Sequence, residues 1–244
     1  MAWNGPDDIV VANGAKQIIF NALMATLNDG DEVIIPAPYF VSYPEMAKLL
    51  GGVPVMPVCG VDAGFRLTPA VLEAAITPRT KWLFLNMPGN PSGAVYPRAE
   101  LQALGKVLAR HPQVLILSDE IYEHILFDGR AFVSFAQACP DLRDRSLIVN
   151  GVAKAYAMTG WRVGYAAGPA PLIKAMSKIQ GQSTSNASSI SQKAAIAEIR
   201  QQRDRHASDP ARRSRHQHAH RPTSGLGRRA AWPRCPPGCS GCHS

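Results

Sequence analysis

Along residues 1–199, short unbroken apolar runs alternate with longer stretches in which apolar positions recur every three or four residues. Trp82-Leu-Phe-Leu85, Val114-Leu-Ile-Leu117 and Leu147-Ile-Val149 read as strands buried on both faces. Ile9-Val10-Val11, Glu32-Val-Ile-Ile35 and Val53-Pro-Val-Met56 add three shorter ones. Between them the period changes. Ile18, Ile19, Ala22, Leu23 and Leu27 share one face at helical spacing, and Asn28-Asp29-Gly30 stops that helix. Thr68 followed by Pro69 gives an N-cap and a first helical residue ahead of Val71, Leu72 and Ala75. The spacing of Leu101, Leu104, Val107 and Leu108 predicts a helix from about Pro97 to Arg110. Pro36 to Phe40 reads as an irregular loop with two exposed aromatics, Tyr39 and Phe40. Continuous apolar strands alternating with helices imply a three-layer α/β/α domain, in which a mostly parallel sheet is covered on both faces.

In such sheets ligands bind beyond the carboxyl ends of the strands. Each of the three long runs ends in a polar residue: Asn86, Asp119 after Ser118, and Asn150. One edge should therefore gather Asn86 and Asn90, Asp119 and Tyr122, and the loop that carries Lys154. Ile9-Val10-Val11 leads into Asn13-Gly14-Ala15-Lys16 at the start of the first helix. A strand, a glycine turn and a helix N-terminus in that order can present backbone N–H groups to a phosphate.

Composition and charge narrow the function classes. The chain has 244 residues, 46% of them hydrophobic, enough to bury a core, and its net charge is +8. From Arg200 to Ser244 there are ten arginines, no lysine and two acids, so this segment contributes 10 − 2 = +8 and residues 1–199 sum to zero. With one leucine and no isoleucine or valine, the last 45 residues cannot bury enough apolar surface to offset their ordering entropy, and they are expected to be disordered. Arginines without interleaved aromatics are only electrostatic grounds for a nucleic-acid arm, so no nucleic-acid partner is expected. Cys235, Cys239, Cys242 and His243 are too crowded for a zinc knuckle, and no metal site is expected. The start has no basic and apolar leader, no run reaches the roughly 20 apolar residues of a membrane helix, and the five cysteines suggest no disulfide framework. A cytoplasmic setting without membrane contact is the expectation.

Lys154 sits in Asn150-Gly-Val-Ala-Lys-Ala-Tyr-Ala-Met-Thr-Gly-Trp-Arg-Val-Gly-Tyr165. A lysine in a Gly/Ala-rich loop is ordinarily a solvated charge. Its neighbours at the sheet edge change that reading. A lysine amine forms Schiff bases with aldehydes, a carboxylate deep in a site holds a pyridine nitrogen protonated, and a helix start binds phosphate. Together they describe a pyridoxal 5'-phosphate site, with Arg162 placed to pair bidentately with the phosphate.

Five segments also carry a resemblance. Asn13-Gly-Ala-Lys-Gln17, Pro38-Tyr-Phe-Val-Ser-Tyr-Pro-Glu45, Asn90-Pro-Ser-Gly93, Ser118-Asp-Glu-Ile-Tyr-Glu123 and Lys154-Ala-Tyr-Ala-Met-Thr-Gly-Trp-Arg-Val-Gly-Tyr165, in this order, resemble the class I aminotransferases of the aspartate aminotransferase family, of pyridoxal-phosphate fold type I. The resemblance spans about residues 5–198. It implies the large domain of that fold, with a seven-stranded sheet whose strands lie near residues 9–12, 33–36, 53–57, 81–86, 114–118, 147–150 and 163–167. It makes Lys154 the Schiff-base lysine and proton shuttle, Asp119 the partner of the pyridine nitrogen, and Tyr122 and Asn90 the partners of the ring's phenolic oxygen. Gly14, Ala15 and Lys16, chiefly through their backbone, and Arg162 would hold the phosphate, and Phe40 would stack on the ring. The implied reaction moves an amino group from an L-amino acid such as aspartate or glutamate to a 2-oxo acid, in a homodimer.

The departures bear on activity. The family's N-terminal arm and most of its small domain have no counterpart, nor has the arginine that takes the substrate's α-carboxylate. The resemblance stops near Ile199, which divides the chain into a partial large domain, 1–199, and an arginine-rich tail, 200–244, expected to be an out-of-frame extension. An inactive remnant that at most binds the cofactor, and a fold type I lyase, are the alternatives to the aminotransferase.

Overall fold

The computed structural model describes residues 5–208. Seven strands, β1 (Ile9–Ala12), β2 (Glu32–Ile34), β3 (Val53–Val55), β4 (Thr80–Asn86), β5 (Leu115–Asp119), β6 (Ser146–Gly151) and β7 (Gly164–Ala167), form one sheet in the order β1-β7-β6-β5-β4-β2-β3. Strands β2 to β6 pair in parallel, and β7 runs antiparallel to both β6 and β1. This is the mostly parallel seven-stranded sheet that the alternating pattern and the resemblance imply, with ends shifted by one or two residues.

The pleat explains why the central runs are apolar throughout. Successive strand residues face opposite sides, and each side meets a helix layer. Trp82, Phe84, Leu117, Leu147 and Val149 join one core with α1 (Ala15–Thr26), α2 (Ser42–Leu49) and α6 (Ala170–Gly181). Leu83, Leu85 and Ile116 join a second core with α3 (Pro69–Ala75), α4 (Arg98–Ala109) and α5 (Phe135–Ala138). In α1, Ile18, Ile19, Ala22 and Leu23 are buried as their spacing requires. Thr68 caps α3, its hydroxyl accepting from the Val71 amide, and α4 buries Leu101, Leu104, Val107 and Leu108.

Four helices escape the sequence pattern, the single turn of α5 among them. Helix α2 begins two residues after Phe40, and it turns the expected exposed loop into a packed corner: Tyr39 and Phe40 are half-buried against the first core. Helix α6 buries only Ile173, Met176 and Gln180, too few positions to announce themselves. Helix α7 (Ser189–Ser208) is largely polar and runs continuously across residue 200, where the change of text was expected. The rest of the arginine-rich tail, with Cys235, Cys239, Cys242 and His243, lies outside the described residues. Among the described residues no helix is long and apolar enough to cross a membrane.

Candidate active site

The parallel strands end in register, which sets the floor of the site. Asn86 at the end of β4 lies beside Asp119 at the end of β5, and Asp119 lies beside Val149 on β6. The Asn86 amide donates to the Asp119 carbonyl at 3.1 Å and accepts the Asn90 N–H at 2.7 Å. One side chain thereby ties the Asn90 loop to the carboxyl end of β5. Above this floor is a cavity of about 160 Å³ lined by Gly14, Ala15, Lys16, Phe40, Asn90, Asp119, Tyr122, Lys154 and Arg162. All nine residues given a role in the site from the sequence reach it, whereas Asn150, the polar end of the third long run, does not line it.

At one end, β1 gives way to α1 through Gly14, whose φ of 91° belongs to the region that favours glycine. A Cβ there would stand 2.5 Å from Nη2 of Arg162, so the bare backbone is what lets the guanidinium close over the turn. That guanidinium donates to the carbonyls of Thr159 and Asn13 at 3.1 and 3.3 Å. Arg162 itself holds a left-handed conformation, φ 54° and ψ 52°, which costs a non-glycine residue on the order of 1 kcal/mol. The turn thus combines a helix N-terminus, backbone amides and a fixed cation, the elements of an anion site. The Lys16 ammonium lies 5.2 Å from the centre of the Phe40 ring instead of pointing into the turn.

At the floor, Asp119 is 6% exposed, and both its oxygens have donors. The Ile121 amide donates to Oδ1 at 3.2 Å, and the Tyr43 hydroxyl donates to Oδ2 at 2.7 Å. Burial raises the pKa of Asp119, and these two hydrogen bonds and the charge of Lys154 oppose the rise. Lys154 stands three residues beyond β6, exposed at the cavity's rim, with Nζ 5.7 Å from the centre of the Tyr122 ring. The Thr159 hydroxyl donates to the Ala153 carbonyl at 3.0 Å and so braces the loop that presents Lys154. The Asn90 amide and the Tyr122 hydroxyl lie 3.5 Å apart, at the outer limit of a hydrogen bond.

Tyr43 stands in the resembling segment Pro38-Tyr-Phe-Val-Ser-Tyr-Pro-Glu45 but is given no role from the sequence. Its signal is its place one turn after Tyr39, just past the stretch expected to be a loop, and α2 turns its ring inward. Next to Asp119, Glu120 faces the other side of the sheet, where Oε1 accepts from the Ser118 and Ser134 hydroxyls, both at 2.9 Å, and from the Phe135 amide at 3.0 Å. Burial pushes the Glu120 carboxyl up to about 7 against these three bonds. Among the described residues no cluster of His, Cys, Asp or Glu could hold a metal ion.

Fold and site together define a doubly wound α/β domain that holds an amine, a buried carboxylate and an anion cradle around one cavity. The family model for aminotransferase class I and II matches residues 3–230, and the chain belongs to that family. It is 62% identical over 191 residues to an aspartate/prephenate aminotransferase of Cereibacter sphaeroides, covering 78% of this chain and 48% of that protein. It is 58% identical over 193 residues to an aspartate aminotransferase of Rhizobium meliloti, covering 79% and 47%. The chain spans about half the length of the curated relatives it matches. Among solved structures, an aspartate aminotransferase from Rhizobium meliloti superposes with a TM-score of 0.77 at 53% identity, covering 86% of this chain and 51% of that one. Another from Thermus thermophilus, solved with maleate, gives 0.77 at 42%, covering 88% and 54%.

Proposed function

We propose that this chain binds pyridoxal 5'-phosphate and serves amino-group transfer from an L-amino acid of the aspartate or glutamate kind to a 2-oxo acid. The observation that carries the reading is the meeting of Asp119, Lys154 and the Gly14–Arg162 cradle around one cavity. The residues fit the group. A buried carboxylate whose charged form is held by two hydrogen-bond donors suits a cationic ring nitrogen, and the cradle that a Cβ would fill suits a phosphate. Bound pyridoxal phosphate supplies an aldehyde that condenses with amines and a protonated ring that draws electrons from the amino acid's α-carbon. In this reading Lys154 holds the cofactor and carries the proton to and from the substrate's α-carbon. Asp119 faces the ring nitrogen, Tyr122 and Asn90 donate to the ring's phenolic oxygen, and Phe40 covers one ring face. The amides of Gly14, Ala15 and Lys16 and the Arg162 guanidinium take the phosphate.

Maleate, the ligand named for the Thermus structure, is a dicarboxylic acid, and this supports a dicarboxylic amino donor. The assembly we propose is a homodimer, in the cytoplasm, without a nucleic-acid or membrane partner. The half-length match favours a second reading in which the chain holds the cofactor without turnover. Spectroscopy and a coupled assay test the two in sequence. A visible band should form on adding pyridoxal phosphate, and borohydride should fix the label on the peptide that contains Lys154. No band, or a label unchanged in Lys154→Ala, overturns the cofactor reading. A band without transfer from aspartate to a 2-oxo acid leaves the second.

A further inference from the structure

We propose that Glu120 is a positioning residue: its buried carboxyl group clasps the two ends of loop 121–133 behind the sheet and so holds Tyr122 at the cavity beside Asn90. The inference rests on the cofactor reading above and goes beyond it, since that reading gives Glu120 no role.

Between β5 and α5, residues 120–134 form neither strand nor helix. Backbone bonds inside this excursion are short in sequence: the Glu123 amide donates to the Glu120 carbonyl at 2.9 Å and the Ile125 amide to the Tyr122 carbonyl at 2.8 Å. Its tip turns through Asp128 and Gly129, both at positive φ, and exposes Ile125 and Phe127. The two ends pack on opposite sides of the sheet, Ile121 against the first core, Phe132 and Val133 against the second. A polar tie joins them. Oε1 of Glu120 accepts from the Ser134 hydroxyl, fourteen residues on, at 2.9 Å and from the Phe135 amide at 3.0 Å, and the Ser118 hydroxyl steadies the same oxygen at 2.9 Å. Ser134 accepts the Gln137 amide in the capping box of α5, which leaves its own proton for Glu120. A loop whose ends are held together in this way can carry a functional side chain at a fixed place.

Tyr122 stands two residues beyond the clasp and has room to leave its place. It lines both the candidate site and a neighbouring cavity of about 640 Å³ between this loop and the segment Pro88–Val95. Its contact with Asn90, at 3.5 Å, is too long to hold it. The path of the loop therefore sets where the phenol points, and Glu120 sets the path at its base. A donor on the cofactor's phenolic oxygen stabilises the bound form that has lost its proton, and so lowers the pH at which the visible band changes. Slack in the loop weakens that donor and raises the midpoint.

Three variants of the full chain test the clasp. Glu120→Met fills the space without an acceptor, Glu120→Gln keeps the acceptor and removes the charge, and Ser134→Ala removes one donor at a distance from the cavity. In the cofactor-free protein, amide exchange over residues 121–133 should be faster by roughly threefold to tenfold in Glu120→Met and Ser134→Ala, and near wild type in Glu120→Gln, with α1 and β4 changing less. In protein loaded with pyridoxal phosphate, the pH midpoint of the visible band should rise by roughly half a unit to one unit in the same two variants and stay in place in Glu120→Gln. That rise should vanish in a Tyr122→Phe background. If Glu120→Met does not fold, Ser134→Ala carries both readouts. A wild-type chain that forms no band removes the cofactor reading, and exchange alone then decides whether Glu120 holds the loop. Equal effects in Glu120→Gln and Glu120→Met trace them to the charge and overturn the proposal, as does equal acceleration of exchange in α1 and β4. An unmoved midpoint in a variant with a normal band, or a rise that persists without the Tyr122 hydroxyl, overturns it as well.

Discussion

Asp119 and Glu120 are adjacent carboxylates at one strand end, and the pleat sends them to opposite faces of the sheet. Their surroundings divide the work. Asp119 opens onto the cavity and has Tyr43 and Ile121 as donors. Glu120 lies 2% exposed on the far side, where one oxygen ties the end of β5 to the N-terminus of α5. The Glu120 pair of states gives stability a pH dependence whose sign follows from the direction of its shift. Its carboxyl ordinarily loses its proton near 4.5, and in the fold it does so at about 7. The folded state therefore holds the proton more tightly than the unfolded one. The corresponding stability is fully present below 4.5 and is lost as pH rises through 7, by on the order of 3 kcal/mol. Glu120→Gln keeps an acceptor for the Ser134 hydroxyl and the Phe135 amide but cannot ionise. Urea melts at pH 5 and pH 8 should show the wild type falling relative to the variant over that interval. Equal slopes with pH in the two proteins would show that the Glu120 carboxyl ionises in the fold at its ordinary value, so that burial does not shift it.

At the scale of elements, the site depends on how closely β7 approaches the turn between β1 and α1. Gly164 pairs with Ala12 on one side and Gly151 on the other. A Cβ on it would meet the backbone of Gly14 and Ala15, atoms that cannot swing aside as a side-chain tip can. Gly164→Ala should cost about 1–3 kcal/mol in a urea melt by overpacking. It should also weaken phosphate binding, because the turn can yield only by moving its amides. Unchanged binding alongside lost stability would mean that the turn is not set by this contact. The same junction shows what was legible beforehand. Strands whose two faces are both buried carry an unbroken apolar signal, so β4, β5 and β6 and their polar last residues could be read directly, and with them the edge where Asp119 and Lys154 meet. The glycine turn and Arg162 could be named as residues, but their closeness comes from the pairing of β1 with β7, far apart in sequence, and leaves no local trace. Helix α2 was invisible because Pro44 and a single turn of apolar positions resemble a loop. Tyr43, which depends on α2 for its direction, was hidden with it.

At the scale of the whole molecule, the cavity is assembled from nearly every layer of the described chain. The cradle comes from the start of α1 and from Arg162, the floor from β4 and β5, and the amine from the loop after β6, so the lining spans residues 14 to 162. Such a site exists only when the sheet is complete. A ligand that binds the native state alone stabilises it by about 2.7 kcal/mol at a hundredfold excess over its dissociation constant. For a domain of this size that corresponds to a rise of roughly 5–10 °C in the melting midpoint. Pyridoxal phosphate should therefore shift the thermal melt of the full chain by several degrees, although the chain spans only about half of its relatives' length. Two variants separate the contributions. Lys154→Ala removes the covalent hold and leaves the cradle, so a smaller shift should remain, driven by the phosphate and by Asp119. Gly14→Ala puts a Cβ against the Arg162 guanidinium and strains a φ of 91°, so it should lose most of that remainder. A midpoint unmoved by saturating cofactor in the wild type would mean that the sheet does not hold these residues ready. The parts of the family fold that lie beyond this chain would then be needed to assemble the site.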